Sequence, residues 1–507
     1  MSSITKKKVN FKNYFGVSSL NIFVSTTGIL LNSWLMYYYT TYCNLSIISV
    51  GALFSLVKFA SAIFCLFFGD FSDRFGSTKL GKKFGRRRFF LLIVIPLHTI
   101  IFPLVWLRGM STSYYYIIYL LYNFIIQIPQ VIVPTLTTEM TESSEDRAKI
   151  EGVKQAAGTI ANTLFSALPG FIILIFGENA DSYFKMVLLC DALALVFLVL
   201  QYLWTYERPA EDIVLPEKTS VINTIVNMIK DLFATIKIKA FRQQIAIFTA
   251  QQAERSISGY VNTYFIVFAL GLATTTVSGV NSIAYIFGLI FLSFFMWYTM
   301  KTDGPTSFRL GAISTILVFL SFALIAIFKP PYLSIWLIAL TILLNFGKTG
   351  ICNATLYLQA FIPDIDEIVT TRRREGIFSG IFNFIDTIIQ SLISLAMGII
   401  LSFTGFQEGA TVQSELTVNC IIALYAIVPI VFGIWGIIVS YKFKISKKNH
   451  VILLNEIERL KSGESMDDVK PEVKDVIENL TGMPYKECWG NNNIASGDSE
   501  PTKVLNS

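Results

Sequence analysis

About twelve apolar runs, each long enough to cross a bilayer as a helix, dominate this chain and leave few architectures open to it. They cover roughly 14–42, 46–70, 89–108, 114–137, 152–176 and 183–206, then 244–270, 277–299, 308–328, 332–359, 375–404 and 416–441. A helix needs about 20 apolar residues to span the hydrocarbon, and helices are the only open-ended structures that satisfy their own backbone there. With 53% hydrophobic and only 15% charged residues, and a mean hydropathy of +0.58, the chain is too apolar for a soluble domain. The expectation is an all-α polytopic membrane protein with twelve transmembrane helices.

Basic residues give the orientation, because short loops rich in Lys and Arg stay on the cytoplasmic side. The segment Gly69–Arg88 holds seven of them, namely Arg74, Lys79, Lys82, Lys83, Arg86, Arg87 and Arg88. Lys6, Lys7, Lys8 and Lys12 precede the first run, which is too long for a signal-peptide core, and Lys442, Lys444, Lys447 and Lys448 follow the last. The loops on the other side keep only Arg108, Lys185 and Lys329. Both termini are expected in the cytoplasm of a multi-pass plasma-membrane protein. The net charge of +6 reads as attraction to anionic inner-leaflet lipid, not to nucleic acid.

The longest polar interruption, 206–243, divides the runs six and six, which predicts an N-terminal bundle over 1–205, a cytoplasmic connector, a C-terminal bundle over 244–441 and a cytoplasmic tail over 442–507. The middle of the connector reads as an amphipathic helix on the membrane. In the tail, Val451–Leu460 suggests a short helix, Pro471 suits the first turn of another, and the chain from Trp489 onward reads as disordered around a solvated terminus with modest packing. Six scattered cysteines and two histidines, His98 and His450, imply neither a disulfide framework nor a metal site. No phosphate-binding glycine loop, histidine cluster or nucleophile triad appears, so an enzyme is not expected.

Gly69-x-x-x-Asp73-Arg74-x-Gly76, between the second and third runs, resembles the signature loop of major facilitator superfamily transporters, and Lys301, Asp303, Gly304 and Arg309 echo it weakly in the second half. Three further segments resemble the glycoside–pentoside–hexuronide cation symporters, the group of the melibiose permease: LMYYYT at Leu35–Thr40, the stretch Pro134–Lys154, and QAFIPDIDEIVTTRRREGIFS at Gln359–Ser379. The resemblance implies two six-helix bundles around a cavity lined by helices 1, 4, 7 and 10, and secondary active, symporter-like transport of a sugar, glycoside or similar polar solute. It implies no cofactor, only a co-transported proton or sodium ion. The partners are then a small solute and the bilayer around a monomer. The family's acids on helices 2 and 4 fall on Ser61, Cys65 and Gln127, its helix 5 cation is kept as Lys154, and its helix 11 lysine falls near Thr387 beside Asp386. Ser, Cys and Gln offer only dipoles to a bare cation, so the usual cation site is missing. A carrier of an amphipathic or other non-sugar solute without sodium coupling, or a non-transporting sensor on the same fold, stays open.

Polar residues recur at helical spacing in the cavity-lining runs, and a lipid-facing polar stripe is expensive. The solute-binding candidates are Asn123, Gln127, Lys154, Gln251, Arg255, Asn262, Asn345, Lys348 and Asn383. Charges within the spans are Lys58, Asp191, Glu254, Arg255, Lys348 and Asp386, each costing about 2.5–3.5 kcal/mol to insert unless paired or wetted. Glu254, Asp386 and Lys58 are the candidate coupling groups, with Lys58 or Lys348 expected to pair with Asp386, while Asp191 reads as structural. Gly69, Asp73, Arg74, Gly76, Arg86, Arg87 and Arg88 are candidates for gating, meeting acids such as Glu139, Glu142, Glu145, Asp364, Asp366 or Glu367 when the cytoplasmic side closes. Tyr37, Tyr38 and Tyr39 read as part of an interfacial aromatic belt.

Overall fold

The computed structural model describes residues 10–141, 144–207, 235–371 and 375–492, and among them the chain is helical with no strand. Twelve long helices run in order: α1 Phe11–Thr41, α2 Ile47–Arg74, α3 Arg88–Leu104, α4 Thr112–Met140, α5 Ser144–Phe176, α6 Ala180–Trp204, α7 Lys239–Tyr264, α8 Thr274–Lys301, α9 Gly304–Phe328, α10 Leu333–Gln359, α11 Glu375–Phe403 and α12 Glu415–Lys442. Local chemistry starts many of them. The side chains of Ser46, Ser111, Asn179, Asp303 and Ser414 each accept a backbone N–H in the first turn of the helix that follows. Nine of the described helices are long and apolar enough to cross a membrane, and α8, bent by 42° between Gly288 and Ile290, makes a tenth. The 17 residues of α3 reach about 26 Å at 1.5 Å per residue. In α7, Gln251, Gln252, Glu254 and Arg255 interrupt the apolar pattern at mid-span.

The helices pack as two six-helix bundles, α1–α6 and α7–α12. On the face that carries the α1–α2 and α7–α8 connections, α2 crosses α11 and α5 crosses α8. A Cβ on Gly51 of α2 would lie 2.6 Å from the Ser394 carbonyl oxygen, and one on Gly170 of α5 would lie 2.6 Å from the Ser278 Cβ, so small residues set both approaches. Hydrogen bonds join the bundles at the same end: Ser391 Oγ donates to the Ser55 carbonyl at 3.0 Å, Ser166 and Ser282 share one at 2.9 Å, and Thr40 and Tyr264 share another at 2.9 Å.

The first helix of each bundle contains a π turn, Leu31–Leu35 in α1 and Phe265–Ala269 at the end of α7. A π turn displaces a carbonyl from its regular partner. The Ser33 carbonyl, inside the α1 turn, accepts Thr263 Oγ1 of α7 at 2.7 Å. Tyr37–Tyr39 differ from expectation. They are at most 5% exposed, with Tyr38 and Tyr39 donating to the Trp106 and Val105 carbonyls at 2.7 and 2.8 Å and Tyr37 packing edge-on against Tyr264. Their hydroxyls have protein partners, so the rings fill an internal seam instead of a lipid belt.

The tail also departs from expectation. Helices Lys447–Lys461 and Pro471–Thr481, with Tyr485 just beyond them, bury Leu453, Ile457, Leu460, Ile477, Leu480 and the Tyr485 ring in one cluster with the short helix Ile362–Thr370 that precedes α11. Trp489, expected to open a disordered segment, donates its N–H to the Ile368 carbonyl at 2.7 Å, and Gly490 donates to Val369 at 2.9 Å. Burial works against the charge of Glu456, but the Arg459 and Tyr485 hydrogen bonds outweigh it and hold the carboxyl below its ordinary value of 4.5. The amphipathic helix expected in the connector lies outside the described residues.

Candidate solute cavity

The mid-span charges gather from both bundles. On α7, Glu254 and Ser258 are one turn apart and face α10, where Lys348 Nζ lies 3.3 Å from Glu254 Oε1 and donates to Ser258 Oγ at 2.7 Å. Glu254 is 6% exposed and Lys348 32%, so the cation keeps access to water while its carboxylate does not. Asp386 on α11 takes amides instead of a cation: Gln252 Nε2 donates to Oδ1, and Gln390 Nε2 donates to Oδ2 at 2.8 Å. Lys58 on α2 is within electrostatic reach of both Asp386 and Arg255.

These contacts correct the pairing read from sequence. Lys348 belongs to Glu254, and neither Lys348 nor Lys58 makes an ion pair with Asp386 among the described residues. Gln252 was missed because an amide beside Gln251 carries no charge signal. Arg255, exposed on the next position of α7, acts electrostatically on Lys58 of α2, Tyr285 of α8 and Cys352 of α10.

The remaining candidates divide. Gln127 of α4 accepts Cys65 Sγ at 3.5 Å, joining α4 to α2. Asn262 accepts the Tyr425 hydroxyl at 2.9 Å. Asn345 accepts Thr349 Oγ1 at 3.3 Å and lies 3.7 Å from where a Cβ on Gly288 would stand, at the bend of α8. Asn383 is exposed one turn from Asp386. Asn123 is buried and donates to the Tyr119 carbonyl of its own helix at 2.8 Å, and Gln251 is buried beside a small void among α7, α9, α10 and α12. Lys154 pairs with Glu151 at 2.8 Å near the start of α5, away from the mid-span cluster. Asp191 has a partner that sequence did not suggest: His98 of α3, wholly buried, brings Nε2 to 3.3 Å from its Oδ1.

On the face opposite the tight crossings, Gly69 lies in the last turns of α2 with open space where a Cβ would stand, and Arg74 and Gly76 lead into the short helix Lys79–Phe84. The side chain of Asp73 lies outside what the structure describes. Glu139 of α4 holds Arg86 and Arg87, while Glu207 accepts the backbone N–H of Arg86, Arg87 and Arg88. Arg88 donates to the Tyr202 carbonyl at 2.8 Å and stacks over that ring. Glu139 and Tyr202 belong to the N-terminal bundle, and Glu207 to the start of the connector. Glu142 lies outside the described residues, as does the Glu145 side chain, and the tail engages two acids of the other bundle, His450 with Asp364 at 2.8 Å and Lys461 with Glu367 at 2.5 Å.

Two six-helix bundles closing on each other at one face, with ionised groups and amides from both at mid-span, define a membrane transporter of the major facilitator fold. The chain belongs to the MFS/sugar transport protein family, which matches residues 15–447. It is 22% identical over 460 residues to the isoprimeverose transporter of Lactiplantibacillus pentosus, covering 88% of this chain and 91% of that one. Among solved structures it resembles the nucleoside transporter NupG, at 14% identity and a TM-score of 0.58 over 86% of this chain and 100% of the other. It also resembles a D-xylose-proton symporter, at 15% identity and a TM-score of 0.59 over 85% and 97% of the two chains.

Proposed function

We propose that this transporter carries a sugar, glycoside or similarly polar solute across the plasma membrane by alternating access. Its termini and basic loops face the cytoplasm, and the close crossings of the two bundles lie toward the opposite side. The observation that carries the reading is the convergence of Lys58 from one bundle with Glu254, Arg255, Lys348 and Asp386 from the other at mid-span. Such charges are costly in lipid and are retained where a wetted cavity uses them. The tight α2–α11 and α5–α8 crossings bring the bundles together at the outer end, while Arg86 and Arg87 at the inner end meet Glu139 of their own bundle. The similar transporter named for isoprimeverose and the D-xylose-proton symporter support a pentose-containing glycoside as the first solute to try.

Coupling runs through Glu254 and Asp386. Each is held by groups that a proton displaces, the Lys348 ammonium for one and two amides for the other. At the positions where the resemblance places the family's carboxylates, Ser61, Cys65 and Gln127 offer a sodium ion only dipoles. In proteoliposomes with an imposed pH gradient, wild-type protein accumulates isoprimeverose or D-xylose. Glu254→Gln and Asp386→Asn lose accumulation and keep counterflow. Concentrative uptake by both variants overturns the coupling assignment.

A further inference from the structure

We infer that the connection between α11 and α12, residues 404–414, is a strap that latches the C-terminal bundle onto the N-terminal one and holds the tightly crossed face shut through Glu408; that this face opens during transport rests on the carrier reading above. Two hydrogen bonds reach from the loop to the turn between α1 and α2. Glu408 Oε1 accepts the Ile47 N–H at 2.9 Å, and the Gly409 N–H donates to the Thr40 carbonyl at 3.0 Å. Ile47 opens α2, where the first N–H groups have no partner inside the helix and carry its partial positive charge. Ser46 accepts one of them, from Ser49, and a carboxylate of the opposite bundle accepts another. Thr40 lies in the last turn of α1, where carbonyls are left over in the same way. One loop thus grips the end of one helix and the start of the next.

The loop is built stiff. Gln413, buried, accepts the Gln407 N–H at 2.9 Å and returns its own amide to the Gln407 carbonyl at 2.7 Å, which closes a ring around Glu408 and Gly409. Thr417 Oγ1 fastens the Thr404 carbonyl at 3.0 Å, and Phe406 packs edge-on against Tyr264 and Phe268 at the end of α7. Gly409 has φ +71°, and a Cβ on it would stand 2.9 Å from Asn44 Oδ1, so glycine alone lets the loop come this close to the other bundle. A plain connector between two helices needs none of these features. The Glu408 contact is also reversible. Its side chain is only half-buried, so water replaces the Ile47 N–H when the bundles part and no buried charge is stranded. A charge-assisted bond at the solvent edge therefore biases the two states without welding them.

The test reads the full-length protein in nanodiscs, without solute, through the spin-label distance between Met110→Cys and Phe328→Cys, exposed positions of the two bundles on the same face and away from the strap. Glu408→Ala is expected to raise the ratio of long to short distances roughly tenfold, the size of one charge-assisted contact. Glu408→Gln raises it less, since the amide oxygen still accepts. Gln413→Ala, which loosens the loop and keeps Glu408, shifts it in the same direction, and Glu415→Ala, an exposed acid at the start of α12, leaves it unchanged. Thermal unfolding shows which variants fold; should Glu408→Ala not, Glu408→Gln and Gln413→Ala decide. Distances equal in wild type and the strap variants, or an equal shift from Glu415→Ala, overturn the strap. Because this readout needs no solute, wild type that carries no isoprimeverose overturns the carrier reading alone, whereas isoprimeverose counterflow with unmoved distances in the strap variants overturns the strap alone.

Discussion

Lys348 Nζ lies 3.3 Å from Glu254 Oε1 and donates to Ser258 Oγ at 2.7 Å, which ties α10 to α7 through the C-terminal bundle at mid-span. The two partners are unequally buried, and that inequality has a measurable consequence. Lys348→Ala strands a carboxylate that is 6% exposed and costs about 3 kcal/mol, because a buried charge without its partner bears its desolvation penalty alone. Glu254→Gln leaves a cation with 32% exposure and costs about 1 kcal/mol. Thermal unfolding in detergent is expected to rank Lys348→Ala well below Glu254→Gln, and equal losses contradict this account of the pair.

The crossing of α2 with α11 leaves no room for side chains. A Cβ on Gly398 would sit 2.8 Å from the Ile47 carbonyl oxygen and 3.2 Å from the Gly51 Cα. Gly398→Val is expected to force the helices apart at that end, at about 1–3 kcal/mol, and to make thiol probes on exposed Ile48→Cys react faster. Unchanged labelling and stability show that the crossing does not seal that end.

The His98–Asp191 pair sits inside the N-terminal bundle with Phe23 and Phe102 against the imidazole. It lies apart from the mid-span cluster and is read as structural. Asp191→Ala is expected to destabilise the protein by about 1–3 kcal/mol through the void it leaves beside the buried imidazole, with the KM for solute unchanged. A large shift in KM at preserved stability contradicts the structural role.

Glu456 gives the tail an acid sensitivity. Its folded-state pKa is depressed despite burial, through Arg459 and Tyr485, so the stabilisation is complete above the ordinary value of 4.5 and fades as pH falls through the lower folded value. Hydrogen exchange of the amides in Lys447–Lys461 is therefore expected to quicken, relative to a reference peptide, as pH falls below about 4.5 and not between pH 6 and pH 5. Glu456→Gln lowers protection at pH 6 and flattens that dependence. Protection equal in wild type and variant at pH 6 contradicts the contact's role.

The spans, the division into two bundles and the polar faces of α7, α10 and α11 were legible because each depends on local composition and helical period. Partner choice was not, because it depends on which helices touch. Lys348 and Asp386 are plausible partners by charge, yet α10 presents Lys348 to α7, and Asp386 meets Gln252, an amide no charge count would select. The same reason hid His98 and Asp191, 93 residues apart in sequence and in contact across α3 and α6. Tyr37–Tyr39 suggested an interface because they end an apolar run; only the π turns and the neighbouring carbonyls make the seam internal. The tail's amphipathic helices were visible, but the acidic short helix that receives them is a tertiary match between Asp364, Glu367 and the tail's His450 and Lys461.

Alternating access itself is tested most directly by spin-label distances in nanodiscs. One pair, Ile48→Cys with Ser402→Cys, spans the tight face, and another, Lys82→Cys with Thr302→Cys, spans the opposite one; all four positions are exposed. Adding a carried solute is expected to lengthen the first distance and shorten the second within the same population. Distances that stay fixed on both faces, or that change together in the same direction, contradict the rocking of two bundles about a central cavity.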